Sequence, residues 1–254
     1  MSPGWIIAAS VAGLGAGPLQ RWLVFTGAVP AGQARQDRCP VCGHTVTAGR
    51  RVPRSAMWLT GRCPRCRSRI GLRPLMPELA TAAVLTVLAT RAGSVPELAA
   101  LAVLAAGAIA LAFIDAAVRR LPDMLTLPLA AGVTGLLAVA ASTSHPWGGL
   151  LRAVLAGAAL AGFYIALLLA APAGIGPGDA KFALSLGTML GWYGWAELFT
   201  ATLCAFLGAG AYALMLLLRH RLSRNDTFAF GPFTAAGAFL AILAASSAAG
   251  THLT

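Results

Sequence analysis

The chain has 254 residues, of which 58% are hydrophobic and only 11% charged, whereas a soluble globular domain carries about 25% charged residues. A mean hydropathy of +0.76 excludes an ordinary soluble protein and indicates an integral membrane protein. The formal net charge of +11 would suggest nucleic-acid binding in a soluble chain, but here the arginines are concentrated in one segment. We therefore expect the lipid bilayer as a partner, and no nucleic acid.

Apolar runs of about 16 to 23 residues recur along the chain, close to or above the length that a helix needs to cross a hydrocarbon core of roughly 30 Å. These runs lack the alternation of polar and apolar residues that barrel strands show. The sequence therefore predicts an all-α integral membrane protein with about eight transmembrane helices. The predicted spans are residues 4–26, 74–90, 97–115, 123–141, 149–171, 180–195, 197–218 and 231–249. Residues 1–9 carry no Lys or Arg, so the first run is interpreted as a retained span and not as a secretory signal.

Positive charges predict the orientation of these spans. Ten arginines lie between Arg35 and Arg73, which predicts a cytoplasmic segment and an N-terminus outside. Alternation of the later loops then places sixteen of the nineteen Lys and Arg residues on the cytoplasmic side. The three exceptions are Arg21, Arg91 and Arg152. The aromatic residues Trp147, Trp192, Tyr193 and Trp195 fall near the opposite boundary, where we expect interfacial anchors.

Four cysteines in the cytoplasmic segment form two Cys-x-x-Cys pairs separated by twenty residues. Cys39, Cys42, Cys63 and Cys66 thus have the spacing of a structural zinc site with four thiolate ligands. Two disulfides, or four ordinary thiols, are the alternatives, although a cytoplasmic location disfavours disulfides. A loop of about 40 residues with few large apolar side chains could hardly fold without a metal, which also favours a small zinc-knuckle unit.

Two of the eight acidic residues are candidates for acid–base chemistry. Asp115 follows an apolar run at the cytoplasmic end of the third span, and Asp179 ends the segment Gly176-Pro-Gly-Asp179 directly before another span. Ionisable groups at membrane depth are costly and indicate function. Two carboxylates held together share a proton, so that one can act as an acid and the other as a base toward water. This is the chemistry of an aspartic protease.

The glycines beside Asp179 have an interpretation of their own. Gly176 and Gly178 lack side chains where an extended substrate backbone would approach, which predicts that they line the substrate cleft. The alternative is an ordinary turn between helices, with Asp179 as a helix N-cap. Asp123 heads the fourth span and is interpreted as a helix cap or the partner of a neighbouring arginine, and Lys181 as a snorkelling or anion-orienting residue.

Short motifs run through most of the chain in a fixed order. They are the two Cys-x-x-Cys pairs, Arg73-Pro-Leu-Met-Pro-Glu78, Phe113-Ile-Asp115 with Leu121-Pro-Asp123, Gly176-Pro-Gly-Asp179-Ala-Lys181 and Phe230-Gly-Pro-Phe233. In this combination the chain resembles the bacterial type IV prepilin peptidases, which belong with the GxGD intramembrane aspartic proteases. The resemblance implies a multi-pass enzyme of the cell membrane whose catalytic pair is Asp115 and Asp179.

The resemblance also implies the substrate, a prepilin or pseudopilin of a type IV pilus or protein-secretion system. Its short basic leader would be cut at the cytoplasmic face of the membrane. We accordingly expect three parts in the chain. They are a first transmembrane helix at residues 1–30, a cytoplasmic four-cysteine zinc-binding loop at residues 31–73 and a transmembrane aspartic peptidase domain at residues 74–254.

Some members of that family also methylate the new N-terminus with S-adenosylmethionine. Here the family's usual Gly-Ser-Phe-Leu-Asn segment is replaced by Gly17-Pro-Leu-Gln-Arg21, and the stretch at residues 50–55 is altered. The sequence therefore leaves methylation open.

Two other functions compete with this interpretation. A presenilin-like or signal-peptide-peptidase-like protease would share the GxGD motif, but the cysteine loop and the cytoplasmic level of the aspartates argue against it. A non-enzymatic transporter or secretion scaffold with a zinc-stapled loop would need buried charges along a path through the bilayer. The carboxylates of this chain cluster at one face.

Overall fold

The computed structural model describes residues 3–30, 34–46, 60–144, 147–170, 176–219 and 229–245. These residues form eight α-helices, in agreement with the predicted all-α fold. The helices are α1 (Pro3–Gly27), α2 (Met76–Leu88), α3 (Val95–Val118), α4 (Asp123–Ser144), α5 (Trp147–Ala170), α6 (Pro177–Tyr193), α7 (Trp195–Leu218) and α8 (Gly231–Ala244). The altered stretch at residues 50–55 and the turn residues Arg221, Arg224 and Asp226 lie outside the described part of the chain.

Helix α3 is central in the bundle. It packs against α1, α2, α4, α6 and α8, and it is rich in small residues such as Ala100, Ala105 and Ala108, which are fully buried. Small side chains let helix backbones approach closely where lipid supplies no hydrophobic drive for association. Asp115 and Asp179 lie on the two helices with the most neighbours, α3 and α6.

The other helices associate mainly in pairs, α1 with α2, α5 with α6 and α7 with α8, and α4 packs on both α3 and α6. Helices α6 and α7 are separated by the single residue Gly194. Helix α6 begins at Pro177, three residues before the predicted start, because proline is well suited to the first helical position.

One end of the bundle carries the cysteines, and we call it the cysteine end. Phe25, near the end of α1, packs in one cluster with Cys39 and Cys63. The Arg120 guanidinium, just after α3, donates to the Pro30 carbonyl at 3.2 Å. The ends of α1 and α3 and the starts of α2, α4, α6 and α8 meet there, so that Asp115, Asp123 and Asp179 share this end.

Arg21, which the sequence pattern left outside the cytoplasmic group of charges, lies in a different place from the one predicted. Its guanidinium forms a buried ion pair with the carboxylate of Glu78, the third residue of α2. The neighbouring Gln20 side chain donates to the Thr81 hydroxyl at 2.8 Å and to the Ala106 carbonyl at 2.9 Å. Arg21 thus lies toward the cysteine end, the side to which the sequence pattern assigned the sixteen other positive charges.

The opposite end holds the two remaining exceptions. Arg91 donates to the carbonyls of Leu243 and Ala245, which joins the end of α2 to the end of α8. Arg152 donates to the carbonyls of Gly191 and Trp192, each at 2.8 Å. Both arginines therefore bind helix C-termini, where unpaired carbonyls and the helix dipole favour a cation.

The prediction that Trp192 is an interfacial anchor is wrong. Its side chain is only 6% exposed and belongs to the main core cluster, whereas Trp147 and Trp195 are 64% and 43% exposed. The reason is its place on α6, which lies between α4, α5 and α7 and offers little outward surface.

Four helices within the described ranges, α3, α4, α5 and α7, are long and apolar enough to cross a membrane. Helices α2 and α8 are shorter apolar helices of 13 and 14 residues. The chain is therefore a multi-helix membrane protein.

Candidate active site and metal centre

Asp115 lies in the last turn of α3 and is 5% exposed. The backbone N–H of Gly231, at the start of α8, donates to Asp115 Oδ2 at 2.8 Å. This hydrogen bond joins residues 116 positions apart in the chain. It fixes the side chain between α3 and α8.

Asp179 is the third residue of α6, one turn inside the position that the sequence suggested. The helix N-cap is Gly176, whose N–H donates to Asp179 Oδ2 at 2.9 Å. This hydrogen bond accounts for the position of Gly176 beside Asp179 and needs no substrate. The other oxygen, Oδ1, is buried and has no hydrogen-bond partner among the described residues.

A small cavity reaches Asp179 between α5, α6, α7 and α8. Tyr164 of α5 and Thr234 of α8 line it together with Asp179, and the other lining residues are mostly apolar. Its volume of ≈ 10 Å³ is comparable to the space that one buried water needs. The Thr234 hydroxyl donates to the Gly231 carbonyl at 2.8 Å. The residue that lines the cavity, Thr234, and the residue that binds Asp115, Gly231, are therefore one turn apart on α8.

The two carboxylates therefore flank the start of α8. Asp115 binds the first residue of this helix, and Asp179 shares a cavity with Thr234, one turn further along it. Neither forms an ion pair within the described residues, although three other acidic side chains do. Paired carboxylates without a cation are the arrangement in which one proton is shared.

Asp123 has a different partner from the one predicted. Its carboxylate pairs with Lys181 Nζ at 2.7 Å, and not with a neighbouring arginine. The two side chains are 59% and 37% exposed, so this ion pair lies at the surface of the cysteine end. Lys181 is one turn after Pro177 on α6, and helix packing brings it against the start of α4. The pair joins the two helices.

Gly178 has a packing role that the sequence did not suggest. A Cβ atom at this position would lie 2.8 Å from both the Cβ and the carbonyl oxygen of Leu121. The glycine thus lets the start of α6 approach the segment that follows α3, the helix that carries Asp115. A role for Gly176 and Gly178 in the substrate cleft stays a prediction.

The four cysteines form one cluster. Their sulfur atoms all lie within 4.8 Å of one another. Cys39 Sγ is 3.7 Å from Cys66 Sγ, and Cys42 Sγ is 3.7 Å from Cys63 Sγ. A zinc ion with Zn–S bonds of about 2.3 Å would hold tetrahedral sulfurs about 3.8 Å apart, whereas a disulfide needs about 2.05 Å. The spacing fits a metal and not two disulfides.

Hydrogen bonding favours the thiolate form at two of the four cysteines, Cys39 and Cys66. Burial raises the pKa of the Cys39 thiol, but bonds with the backbone of Cys42 and Val41 outweigh this and lower the pKa to about 6. The Ser68 hydroxyl lowers the pKa of Cys66. A backbone bond at His44 acts to lower the pKa of Cys42, yet burial and the other thiols raise it to about 11. A negative charge on Cys42 is thus costly, and a bound cation would offset it.

The two knuckles have the same backbone path. In the first, Cys39 N–H donates to the His44 carbonyl at 2.9 Å and Gly43 N–H to the Cys39 carbonyl at 3.0 Å. In the second, Cys63 N–H donates to the Ser68 carbonyl and Arg67 N–H to the Cys63 carbonyl, both at 2.9 Å. This repetition presents two pairs of sulfurs to one point.

Two family models match the chain. One, described as the type IV leader peptidase family, matches residues 102–220, and the other, the bacterial peptidase A24 N-terminal domain, matches residues 24–92. A prepilin leader peptidase/N-methyltransferase of Aeromonas hydrophila is 35% identical over 239 residues, which cover 85% of this chain and 74% of that protein. The chain belongs to the type IV leader peptidase family. The resemblance predicted from the sequence is confirmed.

Other relatives of the leader peptidase family carry the same name. One from Burkholderia pseudomallei strain 1026b is 38% identical over 215 residues, and one from Pseudomonas aeruginosa is 33% identical over 221 residues. These alignments cover 80% and 85% of this chain. The chain spans 65% of the length of the Burkholderia relative and 73% of the Pseudomonas relative. Among solved structures, none matches this chain.

The family matches separate the two sites. The leader peptidase match contains Asp115 and Asp179, and the N-terminal match contains all four cysteines. Tyr164 also lies in the leader peptidase match, but nothing in its sequence context singled it out. Gly231 and Thr234 lie beyond both matches. In the sequence, these two residues were indicated only by the segment Phe230-Gly-Pro-Phe233. That segment carried part of the family resemblance but did not predict a contact with Asp115.

Proposed function

We propose that this chain is a prepilin leader peptidase, an aspartic endopeptidase that uses Asp115 and Asp179. One observation carries the proposal. The fold brings these two carboxylates, 64 residues apart in sequence, to the same end of the bundle on either side of the start of α8, without a cation partner among the described residues. Membership of the leader peptidase family supports the same assignment.

The mechanism follows from one shared proton. The ionised aspartate takes a proton from water as the water attacks the scissile carbonyl, and the protonated aspartate donates its proton to the carbonyl oxygen. The apolar lining of the cavity beside Asp179 excludes bulk water, which strengthens electrostatic interactions within the site.

The proposed substrate is a prepilin or pseudopilin whose short basic leader is removed at the cytoplasmic face of the cell membrane. The relatives named prepilin leader peptidases support this class of substrate. The test is incubation of the purified protein with a purified type IV prepilin, followed by mass measurement of the product. A mature pilin without its leader is the expected result, and an unchanged precursor would contradict the proposal.

The proposed topology has eight spans, both termini outside and the active site inside. It is supported by four helices that can cross a membrane, by the sixteen positive charges that the sequence pattern assigns to the cytoplasmic side, and by the place of Arg21 toward the cysteine end. In this topology residues 1–30 form the first span, residues 31–73 the cytoplasmic zinc loop and residues 74–254 the peptidase domain. Reporter fusions at Gly93, Ser144 and Thr254 should read outside, and fusions at Arg50 and Ser223 inside. Inverted readings at the last two would overturn the cytoplasmic location.

The proposed metal is one structural zinc ion, held by Cys39, Cys42, Cys63 and Cys66. The sulfur spacing and the paired knuckles support this choice. The ion would supply folding stability to a lobe whose apolar core consists of Val46, Ile70 and the adjoining Phe25. Metal analysis of the purified protein should give one zinc per chain.

A second candidate activity is N-methylation of the new pilin N-terminus with S-adenosylmethionine. The names of the relatives favour it, because each joins leader peptidase with N-methyltransferase. The segment at residues 17–21 departs from the family pattern and contains Arg21, which is paired with Glu78 in a buried contact. The same mass measurement decides the point, since a methyl group adds about 14 Da to the mature pilin when S-adenosylmethionine is supplied.

A further inference from the structure

We propose that Gly231 is a positioning residue of the active site, in that its backbone N–H holds Asp115 in the orientation needed for cleavage. This inference rests on the proposed function of Asp115. It adds the start of α8 as a third element of the site, beside the end of α3 and the start of α6.

The hydrogen bond from Gly231 is specific to this position of α8. A helix leaves its first N–H groups without partners inside the helix. In α8, Pro232 has no N–H, and the N–H groups of Phe233 and Thr234 both donate to the Phe230 carbonyl. The Gly231 N–H is the group left to bind outside the helix, and it donates to Asp115 Oδ2 at 2.8 Å in a buried contact.

Space at position 231 points to the same role. A Cβ atom there would lie 2.9 Å from Asp115 Oδ2 and 3.3 Å from Asp115 Cβ. Any side chain would therefore displace the carboxylate or move α8 away from α3. Only glycine allows the backbone to approach the aspartate closely enough to hold it.

The contact also connects Asp115 with the Asp179 cavity. The Gly231 carbonyl accepts a hydrogen bond from the Thr234 hydroxyl, and Thr234 lines the cavity that reaches Asp179. One turn of α8 therefore sets the position of Asp115 relative to the wall of that cavity. A misplacement of about 1 Å in a reacting group can reduce a rate about 100-fold.

The test is the Gly231→Ala variant, assayed for prepilin cleavage beside the wild type and Asp115→Asn. We expect kcat to fall about 100-fold while KM changes less than about threefold, because the substrate-binding surface is unchanged and the reacting group is displaced. A wild-type protein that does not cleave prepilin would refute the proposed function, and leave the positioning role without basis. A Gly231→Ala variant with kcat within about threefold of wild type would refute the positioning role alone.

Two other glycines serve as matched controls. A Cβ at Gly13 of α1 would lie 2.5 Å from the Ala82 Cα, so Gly13→Ala disturbs the packing of α1 and α2 away from the cavity at Asp179. A Cβ at Gly208 of α7 would meet Phe233 at an ordinary 3.5 Å, so Gly208→Ala should be silent. We expect Gly13→Ala to lower the melting temperature but to keep kcat per folded molecule. An equal loss of kcat in Gly13→Ala and Gly231→Ala, at similar melting temperatures, would overturn the inference.

Discussion

The cysteine end of the bundle contains two kinds of buried acidic site. Glu78 is paired with Arg21, and both side chains are less than one-tenth exposed. Asp115 is buried and Asp179 half-buried, but each accepts a hydrogen bond from one backbone N–H and neither has a cation partner in the described residues. The two sites therefore differ in what neutralises the buried charge.

The neighbour of a carboxylate inside the bundle decides whether its role is structural or chemical. A carboxylate beside a guanidinium stays ionised and holds two helices together. Two carboxylates beside each other cannot both be ionised at low cost, so one must keep a proton that it can later donate. Both sites are expensive in a membrane, and only the second is suited to act on water.

The largest effect is expected from loss of either aspartate. Asp115→Asn and Asp179→Asn preserve the size of the side chain but remove the shared proton, so each should reduce prepilin cleavage about 10³-fold or more. The measurement is the rate of leader removal by mass spectrometry. Metal content and elution as a folded particle should match the wild type, which separates a chemical loss from a folding loss.

Normal cleavage by either asparagine variant would contradict the assignment of Asp115 and Asp179 as the catalytic pair. If Asp115→Asn were active and Asp123→Asn inactive, the catalytic pair would be Asp123 and Asp179, and the contact of Asp115 with Gly231 would be structural only.

Removal of the cation at the other site should affect stability and not chemistry. Arg21→Met leaves Glu78 buried without its partner, which should lower the free energy of unfolding by roughly 3 to 5 kcal/mol. The double change to Arg21→Met with Glu78→Leu removes both charges and should recover most of that loss. Unfolding in detergent and cleavage per folded molecule are the measurements. A loss of kcat in the stable double variant would show that the ion pair also takes part in the reaction.

The metal site gives an intermediate effect, because it is separate from both carboxylate sites. Cys63→Ser removes one of four ligands and should abolish stoichiometric zinc, with partial loss of cleavage through loosening of the lobe that packs on Phe25. Cys204→Ser on α7 is the matched control, since that thiol lies outside the cluster. Full zinc content in Cys63→Ser would contradict the four-cysteine assignment.

The smallest effect is expected at Asp123. Its ion pair with Lys181 is largely exposed, and such pairs contribute about 0 to 1 kcal/mol. Asp123→Asn should therefore keep near-normal stability and substantial cleavage activity, measured in the same assays. A large loss of cleavage in Asp123→Asn would contradict this expectation.

Most of the fold followed from local sequence. The lengths of the apolar runs predicted eight helices, with ends that agree with the observed ones within a few residues. Motif order predicted the family, and the Cys-x-x-Cys spacing predicted the cluster that the sulfur positions support. These features depend on periodicity and on short-range spacing, which a sequence displays directly.

The remaining features are contacts between distant segments. Arg21 and Glu78 each looked like a charge near the end of a span, and only the packing of α1 on α2 makes them a pair. Gly231 is 116 residues from Asp115, and Trp192 is buried because other helices surround α6. Local spacing carries no information on such pairings, since they depend on which helices are neighbours.

The short length of α6 has a consequence for the helices around it. Its 17 residues, from Pro177 to the break at Gly194, span about 25 Å, against a hydrocarbon core of roughly 30 Å. Because α4, α5 and α7 surround α6, the lipid cannot adapt to this length, and in the proposed topology the bundle itself must satisfy a helix end that lies below the headgroup region. Arg152 does this at the end of α6, where it donates to the carbonyls of Gly191 and Trp192. Lengthening the acyl chains of the lipid should therefore change the rate of cleavage in proteoliposomes little.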